Sequence, residues 1–98
     1  MMSKIIHRYR VMVGVVDHQV HPAGRVVHVS ADRGGKDDVV EVWVEHEADA
    51  GKVLPSPGGI FLNVYGTGIP IPDNAGDHVG SCCSGPFVWH VYARREDR

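Results

Sequence analysis

Leucine and cysteine are nearly missing from this chain of 98 residues. Leu54 and Leu62 are the only leucines, and Cys82 and Cys83 the only cysteines. Adjacent Cα atoms lie about 3.8 Å apart, closer than the roughly 4.4–6.8 Å that a disulfide spans. An intrachain disulfide is therefore not expected, and a reducing, cytoplasmic setting is. No run approaches the roughly 20 apolar residues of a membrane helix. The opening Met1-Met-Ser-Lys-Ile-Ile-His-Arg8 has no long apolar segment followed by small residues, so no secretory signal is expected. Charge of one sign is also lacking: ten basic against twelve acidic residues give a formal net charge of −2. Nothing in that balance draws the chain to nucleic acid or to an anionic membrane. Nor does any window hold an apolar stripe at i, i+3, i+4 and i+7, which argues against helices.

Valine repeating with a period of two takes their place, punctuated by glycine and proline. One domain over residues 1–98 is expected, with residues 94–98 a frayed tail. Ile5 to Val13 reads as a first strand, with Ile5, His7, Tyr9 and Val11 on one face. Val15 to His21 gives a short second strand, and Pro22-Ala-Gly24 a turn. Arg25 to Ala31 is the third strand, with Val27 and Val29 on one side and Val26, His28 and Ser30 on the other. Val39 to Glu47 follows a polar loop; Val40, Val42 and Val44 point inward, Glu41 and Glu45 outward with Trp43. Ala48 to Gly59 reads as a surface connection. Ile60 to Tyr65, Val79 to Cys83 and Phe87 to Arg94 complete the set. Phe87, Trp89 and Val91 oppose Val88, His90 and Tyr92, so the last strand is expected to be central and covered on both faces, with Trp89 in the core and His90 the buried, neutral histidine. The fold class is all-β: a small antiparallel sandwich or partly open barrel of six to seven short strands.

Two segments carry a resemblance. They are Tyr65-Gly-Thr-Gly-x-Pro-x-Pro-Asp73 and Gly85-Pro-Phe-Val-Trp-His-Val-Tyr92. With His7-Arg-Tyr9 and His21-Pro-Ala-Gly-Arg-Val-Val-His-Val29, they make the chain similar to a family of small proteins of unknown function common in bacteriophages and prophages, especially of actinobacteria. The likeness covers nearly the whole chain. It departs over Ala48 to Gly59, and at Ile69, where the family often has histidine. It implies a phage-encoded accessory protein in the cytoplasm of a bacterial host, and supplies no activity, substrate or catalytic residue.

The candidate binding residues are Tyr65, Gly66, Thr67, Gly68 and Asp73 in the glycine loop, and Trp43 on the fourth strand. Two glycines bracket Thr67, so backbone donors can approach a partner, and Pro70 and Pro72 hold the following stretch extended. A Gly-rich turn can also cradle an anion, although Gly66-Thr-Gly68 lacks the third glycine and helix of a dinucleotide fingerprint. Set against this, glycine and proline are turn residues first. Trp43 on a wet face suits an interface anchor; coverage by residues 48–59 would explain it equally well. Seven histidines raise the question of metal, but no ligand spacing matches a zinc site, and none is expected. Cys82 or Cys83 with His90 and Asp73 or Asp77 would make a nucleophilic set, yet no signature surrounds them. The expected function is therefore a non-enzymatic binding protein without cofactor. Its expected partners are its own copies and another protein. The alternatives are sequestration of a nucleotide or similar small anion at the glycine loop, and a structural role in the virion.

Overall fold

The computed structural model describes residues 1–96. It is all-β. Eight strands run in chain order: β1 Met2–Met12, β2 His18–Val20, β3 Arg25–Ala31, β4 Val39–Asp49, β5 Lys52–Val53, β6 Ile60–Gly66, β7 Asp77–Ser84 and β8 Phe87–Arg95. A short 3₁₀ turn, Asp73–Ala75, precedes β7. The strands pair antiparallel into two four-stranded sheets. One has the order β1-β4-β3 with β5 added at the end of β4; the other has the order β2-β6-β8-β7. The sheets stack as a sandwich and no barrel closes. The six to seven expected strands become eight because residues 48–59, read as plain connection, turn back at Ala50 and Gly51 to lay β5 on Ala48 and Asp49.

The core lies where the two inner faces meet. Val40, Val42 and Val44 of β4, Val11 of β1, Leu62 of β6 and Val91 of β8 are fully buried. Each side chain of this size contributes about 1.5–3 kcal/mol by leaving water. β-Branched valine at alternate positions suits this role, since it packs on a pleated surface with little rotamer entropy to lose.

Alternation holds until two bulges break it. In β3 the register shifts between Val26 and His28. Val26, paired with Val44, and Val29, paired with Val42, therefore share the inner face, while Val27 is the extra residue. The expected Val27–Val29 face is corrected by that inserted residue. In β7 the shift falls between His78 and Gly80. Here Val79 packs on the core and Gly80 lies against Val29, where β3 and β7 close one side of the sandwich.

Three further expectations change. Glu41 is not on a wet face: it is 2% exposed. Arg8 donates to its Oε2 at 3.0 Å and the Arg33 backbone N–H does so at 3.1 Å. β8 is central, as expected, but only Val91 of it is buried; Phe87 and Val88 are 44% and 39% exposed, and Trp89 is half-buried at the margin of the core, its Nε1 donating to the Asp37 carbonyl at 2.8 Å. Arg94 to Glu96 are not a frayed tail. Arg94 clasps Asp17 with its two terminal guanidinium nitrogens at 2.7 and 2.9 Å, and Glu96 accepts from Gly59 N at 2.8 Å. Residues 97–98 of the expected tail lie outside the described residues.

Candidate functional site

β6 and β7 run parallel to each other on either side of β8, so the chain must cross β8 to join them. Residues 67–76 make that crossing as a strap over the outer face of the second sheet. Its start is fixed by close approach. A Cβ on Gly66 would sit 3.2 Å from the Trp89 ring, so glycine lets the strand end against the indole. Gly68 has φ 88, and Ile69 N donates to the Gly66 carbonyl at 3.1 Å, closing a tight turn. Thr67 N donates to the Val88 carbonyl at 3.3 Å. Pro72 then holds an extended backbone, φ −65 and ψ 150, as the two prolines predict. At the far end Gly76 has φ 93, and a Cβ there would collide with the Ala93 carbonyl.

Beneath the strap lies a shallow groove of about 550 Å³. Its floor is a chain of polar side chains. Thr67 Oγ1 is 2.8 Å from His90 Nε2; His90 Nδ1 is 2.7 Å from Ser81 Oγ; Ser81 Oγ is 2.8 Å from His78 Nε2. Ser81 has one proton to donate, so it gives to one imidazole and accepts from the other. The chain can thus run in either direction, depending on the tautomer of His90. Tyr92 flanks it, 5.4 Å from the His78 ring and edge-on to Tyr65 at 5.7 Å. Ile69 and Ile71 form the rim, 59% and 37% exposed. Among the described residues, no lysine or arginine lines the groove.

The bulge in β7 makes this floor. In a regular strand, residues three apart face opposite sides. The extra residue at Val79 turns both His78, opposite Tyr92, and Ser81, opposite His90, outward. Of the six expected residues, Tyr65, Gly66, Thr67 and Gly68 meet at this face. Asp73 does not: it lines a separate cavity of about 590 Å³ at the end of the sandwich, with Arg25, Asp77 and Arg95. Trp43 is on the other sheet, half-buried under the Arg33 guanidinium at 5.9 Å, with Nε1 donating to Ser30 Oγ at 3.4 Å. The group stacked on its ring is the Arg33 guanidinium. His78, Ser81, His90 and Tyr92 are additions that period-two reading could not assemble.

The thiols stand apart from the groove floor. Cys82 packs on the core, and burial, with Cys83 adjacent, pushes its pKa up, away from a reactive thiolate. Cys83 is exposed. Among the described residues, no group of three or more His, Cys, Asp or Glu side chains is placed to hold a metal. At the other end of the same face, Arg94 and Asn63 hydrogen-bond Asp17 and hold its carboxyl at about 2.

A family model matches residues 2–98, the strap and both sheets included. The chain belongs to that family, DUF7352, a domain of unknown function. No curated protein and no solved structure matches it. The DUF7352 match extends across both halves of the groove: β6 with its strap, and the β7–β8 hairpin.

Proposed function

We propose that this DUF7352 domain is a non-enzymatic binding protein that acts through protein–protein contacts, as a homo-oligomer whose copies meet on the outer face of the second sheet. The observation that carries the reading is the composition of that face around the strap. Ile69, Ile71 and Val88 are exposed apolar side chains around a floor of hydroxyl and imidazole groups flanked by Tyr92 and Tyr65, and among the described residues no lysine or arginine lines the groove. Interface cores are depleted of charge and enriched in aromatic residues in this way, and exposed apolar patches mark interaction sites. The hydroxyl and imidazole groups of the floor both donate and accept, so a copy of the same surface can satisfy them. A phage accessory protein in the host cytoplasm remains the setting we infer from the sequence resemblance.

Sequestration of a small anion is the weaker reading. A groove without a cation offers an anion little. The cavity at the sandwich end is lined by Arg25, Arg94 and Arg95, but Arg94 is clasped to Asp17 and two carboxylates, Asp73 and Asp77, share the lining. The test is native mass spectrometry of the wild type and of Ile69→Glu, with Asp73→Ala as control. Ile69 is exposed, so a carboxylate there should spare the fold. An oligomer in wild type and Asp73→Ala that falls to monomer in Ile69→Glu supports the proposal. A monomeric wild type at micromolar concentration, or an oligomer indifferent to Ile69→Glu, refutes it.

A further inference from the structure

β1 is eleven residues long and pairs along its length with β4 alone. Among the described residues, no strand occupies its second edge. An edge of this length presents unpaired N–H and C=O groups to any extended chain. What lies on the outer face beside that edge is specific. Lys4, Arg8 and Arg10 stand in a row, interrupted by Ile6, which is 53% exposed. Across the sheet from them, β4 carries Glu41, Glu45 and Glu47. Lys4 reaches Glu45 at 3.5 Å and Arg8 reaches Glu41 at 3.0 Å, while Arg10 reaches Asp32 at 3.3 Å. On the far side of β4, Arg25 of β3 meets Glu45 at 3.4 Å. The face therefore alternates basic, acidic, basic from β3 to β1, and the next position is empty.

We infer that the free edge of β1 is a docking site for an extended acidic segment of another protein, added as a strand with acidic residues beside Lys4, Arg8 and Arg10 and an apolar one beside Ile6. Strand addition takes its affinity from main-chain hydrogen bonds and its specificity from alternate side chains. Opposite charges on facing strands attract, and like charges directly opposite repel. The same rule disfavours a second copy of this chain: central registers oppose like charges, and one centred on Ile5 sets Lys4 against Ile6 and Arg8 against Met2, giving the basic row no opposite charge. A two-fold pairing of β1 with itself keeps each row on its own face. Centred on Ile6, it sets Lys4 against the copy's Arg8; centred on His7, Lys4 against the copy's Arg10; centred on Arg8, two Arg8 side chains meet. The site is separate from the groove under the strap and does not depend on its role.

The test uses the full chain and synthetic seven-residue peptides. For antiparallel addition, the acidic peptide Glu-Thr-Glu-Thr-Val-Thr-Glu places its residues opposite Arg10, Arg8, Ile6 and Lys4 in turn. Its counterpart has Lys for each Glu, and a third peptide has the same composition in scrambled order. Three cross-strand pairs predict that the Lys peptide binds roughly 3- to 150-fold more weakly than the Glu peptide. Affinity for the Glu peptide should fall as salt rises and in Lys4→Glu, a substitution at an exposed side chain. Backbone N-methylation gives the deciding readout. Methyl groups on one alternate set of peptide nitrogens should abolish binding, and on the other set leave it intact, since only one set faces β1. Equal binding by the scrambled peptide, no loss with either methylated set, or no binding by the Glu peptide overturns the proposal. So does a protein dimer that the Glu peptide dissociates, because the edge would then belong to a second copy.

Discussion

Replacing Gly80 by alanine puts the packing account to its hardest test, because two effects of opposite sign meet there. Gly80 is not in the positive-φ region, so its backbone is open to alanine. At a compatible site, Gly→Ala stabilises by about 0.4–1 kcal/mol through the lower entropy of the unfolded chain. Against this, the new Cβ would lie 2.6 Å from Val29 Cγ2 and 2.8 Å from Val29 Cβ. Both are well inside van der Waals contact. Val29 is 8% exposed and its strand carries its own bulge, so it has little room to retreat. Overpacking of this kind costs about 1–3 kcal/mol. The loss wins, and a net destabilisation of about 0.5–2 kcal/mol is expected. For a chain of this length, thermal unfolding moves about 4–8 °C for each kcal/mol. Urea unfolding of the single variants and of Val29→Ala/Gly80→Ala then closes the argument. Removing the valine methyls relieves the contact with Cγ2 and leaves the one with Cβ, so the two changes should be coupled in the favourable direction, by about 0.5–3 kcal/mol, without full rescue. A Gly80→Ala protein as stable as wild type, or strictly additive costs, would show that β3 and β7 do not close against each other at this point. The faces assigned to His78 and Ser81 would fall with it.

Two other outcomes follow from the core. Leu62→Ala, at a fully buried site between the sheets, should cost about 2–5 kcal/mol in urea unfolding; a smaller loss would mean that the sheets collapse into the space. Stability should also decline in mild acid because of His46, which is 1% exposed, with Nε2 2.8 Å from Tyr9 Oη and no well-formed hydrogen bond to Nδ1. Burial pushes its pKa below the ordinary value, His7 adds to the lowering, and the Ala23 backbone opposes them. Stabilisation is then full above the unfolded value of about 6.5 and is lost as pH falls through the folded value, at about 1.4 kcal/mol for each unit between them. His46→Gln should flatten unfolding free energy between about pH 7.5 and pH 5 relative to wild type; an unchanged slope would place the titrating group elsewhere, with His18, also lowered by burial, next to test.

How much of this was legible in the residues depends on whether a strand keeps its period. β4 does. Val40, Val42 and Val44 point inward as read, and the same parity continues to His46 and Ala48, both buried. The buried histidine was thus signalled by position. His90 drew attention instead because its neighbours are aromatic, yet it lies on the outer face, held by Thr67 and Ser81. Glu41 obeys parity too. What alternation does not encode is that an outward carboxylate can still be buried when Arg8 and the turn after Asp32 fold over it.

β3 and β7 lose the period, and with it most of the candidate site. A single inserted residue moves every later side chain to the other face, and neither Val27 nor Val79 differs from the valines around it. Gly80 was the one local sign, since a glycine inside a strand often marks a bulge or a close approach. Read that way, it places His78 and Ser81 on one face without any structure. The strap was half legible for a related reason. Gly66, Gly68, Pro70 and Pro72 declared a turn followed by an extended run, which is what forms. Where that run goes depends on β6 and β7 both pairing with β8, a contact between distant segments that no local pattern contains. That topology sends Asp73 past the groove to the end of the sandwich and brings His90 under Thr67. The choice of pairing partner for β8, more than any motif, decides which side chains share the site.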